Sequence, residues 1–321
     1  MTCTSIIVYH QTHYIGPPPQ EYVSLLPLLE ECPGVTHVIL AAIHINDNPA
    51  HLTLNDDLWS HEKNDFVWQE MQVLQSSGIK VLGMLGGAAK GSFRRLDGDR
   101  ASFLVWYEPL RQMIQTVGLD GLDLDVEEHM SLSGIIRLID QLKHDFGASF
   151  IITLAPVATA LQGQRHLSGF DYEALEKAMG RHIAWYNTQF YCGWGSVEDT
   201  RGYDEIMRRG WPAEKVVLGL ITNPESGAGW VPDEILQDTI LALRARYPSF
   251  GGVMGWEVRE MSSCETIQTD RVQYFNSITA AEPFGWPWSW ASLMTKILKP
   301  ELRHGDHDPM TQQTMHSAAA S

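Results

Sequence analysis

Cysteine is scarce in this chain: Cys3, Cys32, Cys192 and Cys264 are four among 321 residues. No CxxC pair and no Cys/His cluster has zinc-ligand spacing. Four scattered thiols in a chain this long read as free cysteines rather than as a disulfide framework. Basic residues are also short, 23 Lys and Arg against 39 Asp and Glu, for a formal charge of −16. Such a surface repels phosphate backbones and anionic lipid, so neither nucleic acid nor a membrane is expected as a partner. The seven asparagines include none in an N-x-Ser/Thr acceptor. The amino terminus has no basic segment and no long apolar one. Met1-Thr-Cys-Thr-Ser runs straight into Ile6-Ile7-Val8-Tyr9, so no secretory signal is visible. A cytoplasmic protein is the expectation, or a secreted one if a leader has been removed.

Apolar residues are plentiful, at 44%, and there are 11 tryptophans. That composition supports a large core, and tryptophans also serve as platforms for the flat apolar faces of sugar rings. Short apolar, β-branched runs recur at Ser5–His10, Thr36–His44, Lys80–Gly86, Gly121–Glu127, Phe150–Pro156, Ile183–Tyr191, Val216–Thr222 and Gly252–Trp256. They are near-continuous rather than alternating, as in parallel strands buried on both faces. Helical patterns fill the gaps. Ser131–Phe146 carries Ile135, Ile136, Leu138, Ile139 and Leu142 on one side and Arg137, Gln141 and Lys143 on the other. Eight β/α alternations imply an α/β fold, a (β/α)8 TIM barrel. The barrel is expected to occupy residues 1–302 as a single domain, and the tail 303–321, which lacks apolar periodicity, to be disordered.

The fourth run reads Asp120-Gly-Leu-Asp123-Leu-Asp125-Val-Glu127. Side chains alternate along a strand, so Asp123, Asp125 and Glu127 share one face while Leu122, Leu124 and Val126 share the other. Three carboxyls then line up inside the barrel and end at the strand's carboxyl end, where barrel enzymes place their active sites. Like charges this close cannot all ionise, so at least one pKa must rise, and a carboxylic acid kept neutral can donate a proton. A metal site or a solvated acidic strand would also present such a row. A hard metal would need further oxygen ligands from other strands, which the sequence neither shows nor excludes.

The segment 120–127 matches the DGxDxDxE signature, and in this the chain resembles glycoside hydrolase family 18, which contains chitinases and endo-β-N-acetylglucosaminidases. Lys80-Val-Leu-Gly-Met-Leu-Gly-Gly87 is similar to the third-strand SxGG region, with Met84 where the pattern has serine, a residue that helps hold the buried end of the aspartate row. Gln189-Phe-Tyr191 and Gly251-Gly-Val-Met-Gly-Trp256 resemble the sixth and eighth strands. The resemblance covers the chain to about residue 300 and is nearest to the fungal endo-β-N-acetylglucosaminidases of the Endo T type. The segments that carry this are His44-Ile-Asn, Met84-Leu-Gly-Gly-Ala-Ala, Trp185-Tyr-Asn-Thr-Gln-Phe-Tyr191, Gly227-Ala-Gly-Trp230 and Val253-Met-Gly-Trp-Glu257.

The resemblance implies a retaining, substrate-assisted mechanism, in which the sugar's own 2-acetamido oxygen attacks C1 to give an oxazolinium ion. Glu127 would be the general acid. Asp125 would orient the acetamide, and Asp123 would tune Asp125 from beneath. Tyr191, Gln189 and Trp256 would bind the −1 sugar. No cofactor and no metal is expected. Only about 30 residues separate Thr222 from Gly252, and a helix at Ile235–Tyr247 takes most of them, so the small domain that processive chitinases insert there does not fit. An open cleft suits the chitobiose core of N-glycans. N-glycans or glycoproteins are the expected partners, with chitin oligomers as the alternative for a non-processive endochitinase, and the protein is expected to be a monomer. A non-catalytic glycan-binding barrel is a third reading, which the presence of Glu127 disfavours.

Overall fold

The aliphatic and β-branched runs form eight parallel strands. In a computed structural model, which describes residues 4–258 and 288–302, these are β1 (Ser5–His10), β2 (His37–Ile45), β3 (Lys80–Gly86), β4 (Gly121–Asp125), β5 (Ile151–Leu154), β6 (Trp185–Gln189), β7 (Val216–Ile221) and β8 (Gly252–Trp256). Neighbours in sequence pair in register, and β1 pairs with both β8 and β2, which closes the barrel. The bounds of β1, β3 and β8 are those the sequence predicts. The others shift by one or two residues, mostly where the chain leaves the ladder for a loop.

Helices follow the strands in turn: α1 (Pro27–Glu31), α2 (Asp65–Ser76), α3 (Arg100–Val117), α4 (Leu132–Phe146), α5 (Tyr172–Met179), α6 (Arg201–Arg208), α7 (Asp233–Arg246) and α8 (Ser289–Leu298). Helix α4 shows how the local sequence sets these elements. The Ser131 hydroxyl accepts from the Gly134 amide at 3.0 Å and caps the first turn. Ile135, Leu138, Ile139 and Leu142 then repeat at helical spacing and are buried. Ile136 departs from the expectation and is only half-buried, because it lies about 100° around the helix from Ile135.

Strand alternation divides the core in two. Ile7, Tyr9, Ile39, Ala41, Leu82, Met84, Val217 and Met254 fill the barrel. Ile6, Val8, Val38, Leu40, Val81, Leu122, Leu124 and Ile152 face the helices. Each Val, Leu, Ile or Met among them contributes about 1.5–3 kcal/mol relative to leaving it in water. The connection from β7 to β8 is a short turn at Pro224–Ser226 followed by α7, with no inserted domain. Among the described residues no helix is long and apolar enough to cross a membrane. Cys32 and Cys192 are free thiols. Cys3, Cys264 and the tail 303–321 lie outside the described residues.

Candidate active site

Strand β4 delivers the carboxylate row. Leu122, Leu124 and Val126 pack outward among the helices, as the alternation requires. Asp123 points inward and is fully buried, and Asp125 is 5% exposed. The strand ends at Asp125 rather than at Glu127. Beyond it the Glu127 amide turns back to the Asp125 carbonyl at 3.2 Å, which leaves the Glu127 side chain half-buried at the mouth.

The inner carboxylate is held by three neutral donors from three other strands. Thr153 Oγ1 donates to Asp123 Oδ1 at 2.6 Å and Asn187 Nδ2 to the same oxygen at 3.0 Å. Tyr9 OH donates to Oδ2 at 2.7 Å. Met84 stands opposite Asp123 in the β3–β4 register and supplies no hydroxyl. The donors that hold Asp123 come from β1, β5 and β6. Burial raises the Asp123 pKa, and these three donors oppose that rise.

Burial also raises Asp125, well above the usual carboxylate range, with the charges of Glu127 and Asp123 acting in the same direction. Gln189 Nε2 opposes them by donating to Asp125 Oδ1 at 3.1 Å, and it also meets the Ala155 carbonyl at 2.8 Å. Gln189 thus spends its amide on the acid row, although the sequence places it only as pocket lining. Burial raises Glu127 too, partly offset by the Gln189 amide and the Lys90 ammonium. The outer two carboxyls consequently form a coupled pair that retains protons to higher pH than free carboxyls do.

Glycine lets the neighbouring strand come this close. Gly86 has φ 98°, and a Cβ there would sit 2.5 Å from the Asp125 carbonyl and 2.4 Å from the Phe93 ring. The Gly87 amide donates to that same carbonyl at 2.9 Å. Glu128 shapes the next loop, its Oε1 accepting from the amides of Gly91 and Phe93 at 2.8 Å each. Its neighbour His129 is exposed.

The aromatic residues sort by depth. Tyr191 belongs to the cluster inside the barrel and is 7% exposed. Among the described residues its hydroxyl has no hydrogen-bond partner. Trp256 ends β8 half-buried, with its ring 5.5 Å from Tyr9. The next carboxylate, Glu257, accepts from the Gln11 and Thr12 amides at 2.9 and 2.8 Å and fixes the loop after β1. Trp230 packs on the same inner cluster, whereas Trp194 packs on the outer one. Trp185 also joins the inner cluster, at the start of β6.

A barrel with this acid row has close relatives. Residues 6–230 match the model for glycosyl hydrolases family 18. The chain belongs to glycosyl hydrolase family 18. It is 42% identical, with a TM-score of 0.81, to a fungal endo-beta-N-acetylglucosaminidase of family 18, over 93% of this chain and 99% of that one. It is 52% identical, with a TM-score of 0.77, to the chitinase ChiC from Aspergillus fumigatus, over 85% of this chain and 97% of that one. Chitinase 2 from Rhizopus oligosporus is 28% identical over 211 residues, which are 60% of this chain but 36% of that protein.

This family 18 glycoside hydrolase brings Asp123, Asp125, Gln189 and Glu127 into one contiguous group, and places Tyr191 and Trp256 in the shell around them. Sequence reasoning missed Tyr9, Thr153 and Asn187. All three face inward by strand alternation, and that parity was the signal that could have found them.

Proposed function

We propose that the protein is an endo-β-N-acetylglucosaminidase that cleaves the GlcNAc-β-1,4-GlcNAc bond in the chitobiose core of N-glycans. The observation that carries the hydrolytic part of this reading is the acid row, a half-buried Glu127 beside a buried Asp125 whose Oδ2 has no donor among the described residues. Glu127 protonates the leaving oxygen as the C1–O bond breaks. The acetamido oxygen of the −1 sugar closes on C1, and an intramolecular nucleophile gains from high effective molarity. Asp125 orients the acetamide through its N–H and balances the oxazolinium charge. Tyr191 hydrogen-bonds the acetamide oxygen and Trp256 stacks beneath the ring. Glu127, now a carboxylate, then takes a proton from the water that opens the oxazolinium at C1. The anomer is retained because two displacements occur there.

The choice of an N-glycan core is supported by the short β7–β8 connection, which carries no inserted domain. The 42% identical fungal endo-beta-N-acetylglucosaminidase also aligns over nearly the whole of both chains. A non-processive endochitinase is the second reading, favoured by the 52% identity to ChiC. Mass spectrometry of a high-mannose glycoprotein and of a chitin oligomer, each incubated with the protein, separates the two. The proposal expects one GlcNAc left on the glycoprotein. Cleavage of the oligomer alone, with glycoprotein untouched, would replace it with the second reading.

A further inference from the structure

The floor of the acid row contains a hydrogen-bond relay that ends on Asp123. Trp185 Nε1 donates to Asn187 Oδ1 at 2.9 Å, and Asn187 Nδ2 donates to Asp123 Oδ1 at 3.0 Å. Asn187 is fully buried, and the Trp185 ring is held edge-on against His37, with centroids 4.6 Å apart. Trp185 and Asn187 are two residues apart on β6, so both face into the barrel.

The chemistry of the donors gives the relay a direction. An indole nitrogen can only donate, so the atom facing Trp185 must be the amide oxygen of Asn187, and the amide NH2 must face Asp123. Thr153 and Tyr9 present hydroxyls, which can turn and accept. The locked NH2 of Asn187 cannot accept, so it bars a proton from Asp123 Oδ1, and its bond is stronger to the carboxylate than to an acid protonated on Oδ2 beside Tyr9. The ionisable groups facing Asp123 are Tyr9 from β1, Asp125 on its own strand, Tyr172 from α5 and Tyr191 beyond β6. None of these is a cation.

We propose that Asn187, aimed by Trp185, is a positioning residue for catalysis: it reserves the inner carboxyl of the row as the anion and leaves the row's proton to Asp125 and Glu127. This rests on the roles given to Asp125 and Glu127 above. If the proton instead settled on Asp123, the outer pair would lack it when the leaving oxygen needs it. Met84 supplies no donor from β3, and of the three donors present only the Asn187 amide is fixed in direction by a neighbour.

The test uses the full chain with Asn187→Leu and with Trp185→Phe, which keeps the ring but frees the amide to turn. Both are assayed for kcat and KM across pH on a high-mannose glycopeptide, with Glu127→Gln alongside. Losing one hydrogen bond to a charged group should move the proton partition, and kcat at the wild-type optimum, by about 10- to 100-fold in Asn187→Leu. KM should change by less than about threefold. The alkaline limb of the kcat profile should move to higher pH, because the last proton now leaves from Asp123. Trp185→Phe should shift the profile in the same direction by a smaller amount, and it carries the test if Asn187→Leu does not fold. A loss of kcat with a wild-type-shaped pH profile would mean a merely structural role. Unchanged kcat and profile in both variants, with Glu127→Gln inactive, would overturn this proposal alone. A Glu127→Gln enzyme with wild-type turnover would instead overturn the reading on which it rests.

Discussion

Tyr9→Phe removes one oxygen from the bottom of the acid row and little else. The ring is 1% exposed and packed near Trp256, so phenylalanine keeps the volume and the contacts. What is lost is the donor at 2.7 Å to Asp123 Oδ2, which has no other protein partner among the described residues. Burial and the nearby carboxylates raise the Tyr9 pKa well above 10.0, so the hydroxyl stays protonated and donating at neutral pH. A hydrogen bond to a charged group contributes about 1.5–3 kcal/mol. The variant should therefore lose roughly 2 kcal/mol where Asp123 is ionised, a melting shift of about 4–8 °C for a domain of this order of size.

The pH dependence of that loss is the sharper signature. Burial raises the folded pKa of Asp123 above its unfolded value, so its stabilising contribution is fully present below the unfolded pKa and is lost as pH rises through the folded one. Removing a donor that favours the anion raises the folded pKa further, and the loss then continues to higher pH. The difference between variant and wild type should be small in acid, grow as pH rises through the wild-type folded pKa, and level off once both are ionised. Equilibrium urea unfolding between about pH 5 and about pH 8 measures it. A stability difference that does not vary with pH, or one larger at the acid end, would refute the hydrogen bond to a carboxylate.

Three further perturbations probe the same site. Asp125→Asn should depress hydrolysis while sparing transfer from a preformed sugar oxazoline, because Asp125 acts in forming that intermediate. An equal fall in both activities would remove that role. Gly86→Ala should destabilise the fold by more than about 2 kcal/mol in a urea titration, since its φ of 98° and the contacts at 2.4 and 2.5 Å leave no room for a methyl group. Gln189→Leu should raise the pKa of Asp125 by removing its donor and shift the pH optimum of kcat upward, with turnover down by about 10-fold or more. An unchanged optimum would return Gln189 to the role of pocket lining.

The barrel was legible because parallel strands buried on both faces leave short, near-continuous, β-branched apolar runs, and eight of them recur with helical patterns between. The acid row was legible because alternation along one strand is local: Asp123, Asp125 and Glu127 need no partner to be placed on one face. What holds Asp123 was legible only as inward parity, not as contact. Tyr9, Thr153 and Asn187 come from β1, β5 and β6, and they meet only when the sheet closes. Met84 read as a loss for the same reason, since the three donors that hold Asp123 are distant in sequence. Gln189 was placed near the sugar, but its contact with Asp125 joins β6 to β4 and forms only when the barrel closes. Ile136 was assigned to the buried face of its helix because it is apolar, although the stripe through Ile135, Leu138, Ile139 and Leu142 already fills that face.

The central claim, cleavage assisted by the substrate's own acetamide with Glu127 as the acid, is tested most directly by NMR of the freshly released reducing end. Two displacements at C1 predict that the β-anomer appears first and mutarotates afterwards. Initial appearance of the α-anomer would mean a single displacement by water and would contradict the mechanism.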